Sequence, residues 1–104
     1  MLTALILGAV AGIVIGAVVT YVILHWKQVM GWFEKWIAKH ENVDKDAIGF
    51  TIQEAIENGK YNVVQGVFNK STNTVEDARR IEAEKLDRQT REKCFSKEKV
   101  TLFT

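Results

Sequence analysis

The sequence predicts an α+β protein with one N-terminal transmembrane helix, an amphipathic juxtamembrane helix, and a small module that combines a short helix with a three-stranded antiparallel sheet. Three observations lead to this fold class. All 14 Lys and Arg and all 13 Asp and Glu side chains follow residue 26. A helical period of apolar side chains runs through residues 25–40, and β-branched and aromatic residues fill residues 61–68. The chain of 104 residues is therefore divided into residues 1–25, 26–41 and 42–104.

The first segment is an uncharged run of 23 residues from Leu2 to Leu24. As a helix it would be roughly 34 Å long at about 1.5 Å per residue, against a hydrocarbon layer of about 30 Å. A cleaved signal peptide would need a basic start and a small-residue cleavage site, and the sequence around this run offers neither. The pattern therefore predicts a single helix that spans a membrane.

Lysines after this run predict its orientation. Lys27, Lys35 and Lys39 lie within about 15 residues of its C-terminal end, whereas the N-terminal side carries only the amino group. Because positive charge is retained on the cytoplasmic side, we expect the C-terminal part in the cytoplasm, with a bacterial inner membrane as the expected location. An unpaired Cys94 agrees with a reducing compartment.

Small residues recur at every fourth position of the same run. The set consists of Ala4, Gly8, Gly12, Gly16 and Thr20. In lipid, small residues let two helix backbones approach closely, and van der Waals contact then holds the helices together. The spacing predicts a helix-packing ridge for a second copy or for another transmembrane helix. The alternative is that glycine is simply frequent in membrane helices.

Residues 25–40 predict an amphipathic helix at the membrane surface. This stretch contains three tryptophans, whose amphipathic rings are typical of the lipid headgroup region. The side chains expected at the membrane interface are Trp26, Met30, Trp32, Phe33 and Trp36. The alternative is that this apolar face packs on the following module or on a neighbouring subunit.

The module after residue 42 is predicted from apolar spacing and turn residues. Ile48, Ile52, Ala55 and Ile56 share one helical face, which predicts a helix over residues 45–58. We expect strands over 61–68, 74–82 and 99–104 and a helix over 84–94, since a short apolar strand at a terminus must pair with a sheet. The dense i, i+4 charge pairs leave one long helix over 74–94 as the alternative.

The sequence contains no recognisable catalytic, metal-binding or cofactor-binding motif. Asn42, Asp44 and Asp46 have the spacing of the first calcium-loop ligands, but the glycine that this loop requires is missing. Arg79 and Arg80 could contact phosphate, although neighbouring acids reduce their field. We therefore predict a protein that is not an enzyme and that needs no cofactor or metal.

Together these features predict a non-catalytic membrane protein that self-associates or docks through its small-residue ridge and presents a small cytoplasmic module for protein binding. The expected partners are membrane lipid, a second copy or another transmembrane helix, and a cytoplasmic protein. Nucleic acid is not expected, because the net charge is only +1. Two alternatives are an oligomeric protein that forms pores or permeabilises membranes, and an accessory subunit of a larger membrane complex.

Overall fold

A computed structural model describes residues 2–40, 45–54, 59–94 and 99–103. Within these ranges the chain forms three helices and five strands, in the order helix, strand, helix, strand, strand, strand, helix, strand. The helices are α1 (Leu2–Ala11), α2 (Trp26–Lys39) and α3 (Arg88–Cys94). The strands are β1 (Val18–Leu24), β2 (Ala47–Gln53), β3 (Tyr61–Asn69), β4 (Thr74–Leu86) and β5 (Val100–Phe103).

The strands form one mixed sheet in the order β1-β4-β3-β2-β5. β1 runs parallel to β4, with Val18 opposite Arg80, and the other neighbouring strands are antiparallel. β1 and β5 are therefore the two edges of the sheet. Trp26 lies two residues after β1, yet its ring lies 5.7 Å from the ring of Phe103 in β5. The start of α2 therefore contacts the opposite edge strand.

A short turn sets the register between β3 and β4. The Asn69 side-chain carbonyl accepts a hydrogen bond from the Ser71 N–H at 2.9 Å, and Asn73 has φ 55°, a left-handed conformation that asparagine tolerates. The two strands leave this turn as an antiparallel hairpin. One consequence is that Gln65 of β3 lies directly opposite Arg79 of β4.

The prediction of a transmembrane helix is wrong. In the part of the chain that the structure describes, no helix is both long enough and apolar enough to cross a membrane. α1 ends at Ala11 after 10 residues, and the second half of the uncharged run forms β1. Its sequence, VVTYVIL, is rich in β-branched and aromatic residues, which favour a strand. The single-pass topology and the membrane location that we inferred from this helix are withdrawn with it.

The predicted helix over residues 45–58 is also wrong. Ala47–Gln53 is β2, which pairs with β3 on one side and with β5 on the other. The alternate residues Ile48, Phe50 and Ile52 are all buried, so the strand period describes this segment better than the helical one. With β1 and β2 added, the predicted three-stranded antiparallel sheet becomes a five-stranded mixed sheet. Residues 55–58, and Asn42 and Asp44 of the calcium-like spacing, lie outside the described residues.

The C-terminal elements lie close to where the sequence predicts them. β3 occupies the expected segment 61–68, β5 lies within 99–104, and α3 forms the last part of the expected helix over 84–94. β4 continues to Leu86, because it has a strand partner on each side, β3 and β1. The alternative of one long helix over 74–94 is therefore wrong despite its favourable charge pairs.

The helices cover both faces of the sheet. On one face, α2 buries Val29, Phe33 and Trp36 in a cluster with side chains from β1, β3 and β4. On the other face, α1 buries Ile6 in a second cluster with side chains from β2, β3 and β5. Fully burying a large apolar side chain contributes about 1.5–3 kcal/mol. The apolar face of α2 thus packs on the sheet, as the alternative interpretation of residues 25–40 proposed.

Candidate functional site

A cleft lies between α2 and the part of the sheet formed by β4 and β1. Its volume is about 460 Å³, within the range of roughly 300–1,000 Å³ found for small-molecule sites. The cleft is lined by Tyr21 of β1, Arg79 of β4, and Lys27, Gln28, Gly31, Trp32 and Lys35 of α2. These α2 residues form two adjacent rows in which successive members are four positions apart, so they lie on one side of the helix. We call this feature the α2–β4 cleft.

Arg79 is the only charged residue among the lining groups that is buried, with 8% of its surface exposed. Its Nε donates a hydrogen bond to the Gln65 side-chain carbonyl at 2.8 Å. Gln65 is itself fully buried, and its side-chain N–H donates to the Val29 carbonyl of α2 at 2.7 Å. A longer contact of 3.4 Å joins Nη2 of Arg79 to the Gln28 carbonyl. The guanidinium is therefore held in one orientation between the sheet and α2.

The charge of Arg79 has no acidic partner within the described ranges. The ion pairs there join His25 to Asp87, Arg80 to Glu54 and Arg88 to Glu92. Arg79, Lys27 and Lys35 take part in none of these ion pairs, and none of the described residues that line the cleft is acidic. A charge removed from water is costly unless an opposite charge or hydrogen bonds compensate it.

The nearest acid along β4 on the same face of the sheet is Asp77, two positions before Arg79. Its carboxylate accepts a hydrogen bond from the Ala78 N–H at 2.9 Å and does not form an ion pair with Arg79. The charged residues that line the cleft are therefore three cations, Arg79, Lys27 and Lys35. Such an arrangement attracts a negatively charged ligand.

Arg80 shows how the strand separates two neighbouring arginines. Successive side chains of a strand point to opposite faces, and Arg80 lies on the α1 side of the sheet, where it is paired with Glu54. Arg79 lies on the α2 side with no such pair. The acid that pairs with Arg80 is thus Glu54, which lies 26 positions away in the sequence, and it is not one of the neighbouring acids that we expected to weaken the Arg79-Arg80 pair.

An aromatic ring and a glycine complete the α2 wall. The guanidinium carbon of Arg79 lies 5.6 Å from the centre of the Trp32 ring, in the range of a cation–π contact. Gly31 lines the cleft in the middle of α2, and a Cβ added there would meet no atom within 4 Å. The space beside Gly31 is therefore open to a ligand, although glycine costs a helix interior about 1 kcal/mol relative to alanine.

The opposite side of α2 carries a second, apolar groove. Its volume is about 190 Å³, and its walls consist mostly of apolar side chains from α2 and from β2, β3 and β5. No cation lines it. The two sides of α2 thus differ in character: the α2–β4 cleft is the larger of the two and is lined by cations.

The structure does not bring the predicted small-residue ridge together on one helix. Ala4 and Gly8 lie on α1, Gly12 lies in the turn that follows it, Gly16 lies in the connection to β1, and Thr20 lies in β1. All five are exposed. The side of α1 that packs on the sheet is instead the one that carries Ile6.

The five residues expected at a membrane interface pack around the sheet. Phe33 and Trp36 are buried, and Trp26, Met30 and Trp32 are partly buried beside them. Trp32 also lines the α2–β4 cleft. Their spacing correctly indicates one apolar helix face, and the surface that covers this face in the structure is protein.

Sequence reasoning missed Gln65, Lys27 and Lys35 as site residues and gave Arg79 little weight. The different positions of Arg79 and Arg80 could have been predicted, because a strand was expected over residues 74–82 and neighbouring side chains of a strand lie on opposite faces of the sheet. Gln65 stands in the apolar strand segment YNVVQGVF, where a polar residue is costly unless it has a function or a partner. The lysines become site residues only when α2 lies beside β4.

No group of His, Cys, Asp and Glu within residues 2–40, 45–54, 59–94 and 99–103 is arranged to bind a metal. Cys94 is 1% exposed, and burial raises the pKa of its thiol. A buried neutral thiol is a poor nucleophile, because the thiolate is the reactive form. Searches against protein families, curated proteins and solved structures gave no match for this chain.

Proposed function

We propose that this protein is a binding module for a small organic molecule that carries a phosphoryl group, and that the α2–β4 cleft holds that group. The observation that carries the proposal is the buried, pre-oriented guanidinium of Arg79, which has no acidic partner among the described residues. A bound anion would supply the missing opposite charge. Lys27 and Lys35 would add to the attraction from the α2 side of the cleft.

The chemistry of the lining favours a phosphoryl group over a carboxylate. Three cations converge on one cleft, and a phosphate monoester carries about two negative charges near neutral pH, whereas a carboxylate carries one. The planar guanidinium can donate two parallel hydrogen bonds to phosphate oxygens. The volume of about 460 Å³ leaves room for an attached organic group next to Gly31 and Tyr21.

The proposed role is binding without catalysis. The described lining contains no carboxylate, histidine, serine or cysteine, which are the side chains that most often form a pair of nucleophile and general base. That the chain is not an enzyme remains a prediction. The expectation that the module binds a protein partner also remains a prediction.

Isothermal titration with phenyl phosphate tests the proposal, and Arg79→Gln is the informative variant. Charge-assisted hydrogen bonds contribute about 1.5–3 kcal/mol each, so we expect the affinity to fall by about tenfold or more. Arg80→Gln is the matched control, because it makes the same charge change one position away on the opposite face. We expect it to bind with nearly unchanged affinity.

A second variant covers the case in which Arg79→Gln does not fold. Gly31→Leu places a side chain in open space of the cleft, and it should weaken binding while α2 keeps or gains stability. Circular dichroism confirms the fold of each variant. Absence of saturable binding to the unmodified protein, or equal losses in the Arg79 and Arg80 variants, would refute the proposed function.

A further inference from the structure

β1 leaves one side of its backbone open. Among the described residues β1 pairs only with β4. The Arg80 N–H donates to the Ala17 carbonyl at 2.8 Å, so the peptide groups of Ala17 face β4. Because successive residues of a strand direct their peptide groups to opposite sides, those of Val18 and Thr20 face away from the sheet. A further strand could satisfy these groups.

The open edge is also apolar. Val18 is 55% exposed and Val22 is 68% exposed, and neighbouring exposed apolar side chains are typical of an interaction surface. In natural proteins, charged side chains, prolines or a short length keep edge strands from pairing with other chains. β1 is seven residues long and has neither a charge nor a proline, whereas β5 at the other edge has only four residues. β1 is therefore the edge that is free to pair.

We infer that β1 pairs with β1 of a second copy of this chain, in antiparallel orientation about a two-fold axis at Thr20. This register places Thr20 opposite Thr20 and Val18 opposite Val22 of the second copy. The outward peptide groups of the two Thr20 residues then bond to each other. Cross-strand Thr–Thr and β-branched pairs stabilise antiparallel strands, and a two-fold contact closes without further growth.

The order of residues in β1 favours a second copy over a foreign strand. On the face that carries them, Val18, Thr20 and Val22 read the same in both directions, so the strand is complementary to itself. A charged foreign strand would place charge against Val18 or Val22. Shifting the two-fold axis to Val19 or Tyr21 would instead set valine against threonine.

Pairing of β1 also has a consequence for the α2–β4 cleft. Tyr21 lines the cleft from β1, and the register centred on Thr20 places Val19 of the second copy directly opposite it. The second copy would therefore extend the wall of the cleft at the open edge of the sheet. This inference does not depend on the identity of the ligand, because it rests on β1 alone.

Disulfide crosslinking tests the register. Two residues that face each other in an antiparallel hydrogen-bonded pair have Cα atoms about 5.5 Å apart, within disulfide range. Thr20→Cys should therefore give a covalent dimer on mild oxidation. Val18→Cys is the matched control, since its two copies would lie four residues apart, about 13 Å along the strand. The native Cys94 is 1% exposed, so the unmodified protein should remain uncrosslinked.

Light scattering after size exclusion gives an independent test of the assembly. The unmodified protein should be a dimer whose population falls on dilution. Thr20→Pro removes only an outward N–H and should give a folded monomer, and Val22→Lys should do the same without changing the backbone. A monomer at every concentration of the unmodified protein would overturn the inference. Equal crosslinking of Thr20→Cys and Val18→Cys would also overturn it.

Discussion

Asp87 is a single side chain that fixes the start of two helices. One carboxylate oxygen accepts a hydrogen bond from the Thr90 N–H in the first turn of α3 at 2.8 Å. The other accepts from the Trp26 N–H at the start of α2 at 2.9 Å. Asp87 thereby satisfies backbone donors that have no partner within their own helices. It connects α2, which forms one wall of the cleft, to the end of β4.

These contacts affect the ionisation of Asp87. Burial opposes the charged form, but the hydrogen bonds from Thr90 and Trp26, together with nearby His25, outweigh it and lower the pKa of the carboxyl. A lowered pKa means that ionised Asp87 stabilises the folded state. This contribution is fully present above the unfolded-state pKa of about 3.9 and is lost as the pH falls through the lower folded-state pKa.

Asp87→Asn should therefore destabilise the protein in a pH-dependent way. We expect a loss of about 1 kcal/mol at pH 7, the usual size of a capping contribution. At about pH 3 the difference from the unmodified protein should become smaller, because this pH lies below the unfolded-state pKa of about 3.9 and protonation of the unfolded chain then offsets part of the contribution of ionised Asp87. Urea unfolding at the two pH values measures this. A difference that stays constant would show that the charge of Asp87 is unimportant.

At the scale of elements, the packing of α1 on the sheet can be tested by changing single side chains. Its only buried side chain is Ile6, which is 0% exposed and packs against the cluster around Phe50 and Phe68. The next side chain before it, Leu5, is 48% exposed. Although both residues belong to a continuous apolar segment, the structure gives them different roles.

Ile6→Ala should destabilise the protein by about 2–5 kcal/mol, since it leaves a cavity in the core. Leu5→Ala removes a similar volume from a half-exposed site and should cost less than about 1 kcal/mol. Chemical denaturation of the two variants in aqueous buffer provides the comparison. Equal effects would mean that α1 does not pack on the sheet through Ile6.

The strands differ in how well they could be predicted from the sequence, because the same apolar spacing can fit more than one kind of element. β3 was predictable, because its β-branched residues stand between turn residues. β2 was not, because Ile48 and Ile52 fit a helical period as well as a strand period. β1 was not predicted, because it lies within an apolar run that is long enough to form a membrane helix. Arg79 could be placed on a strand, but its lack of an acidic neighbour depends on contacts between β4, β3 and α2.

At the scale of the whole molecule, the position of β1 beside β4 is the central claim. Through this pairing, the second part of the uncharged N-terminal run becomes a strand of the sheet. It brings Tyr21 to the cleft that Arg79 and α2 form, and it creates the open edge at Thr20. The cleft wall and the edge therefore both depend on one parallel pairing between segments about 60 residues apart.

Nuclear Overhauser effects in isotopically labelled protein test this pairing directly. The register places Val19 opposite Ile81 and Tyr21 opposite Ala83, so cross-strand contacts should join the backbone protons of residues 18–24 to those of 80–86. Residues 18–24 should also lack the i to i+3 contacts of a helix. Continuous helical contacts from Leu2 to Leu24, with none to β4, would contradict the account.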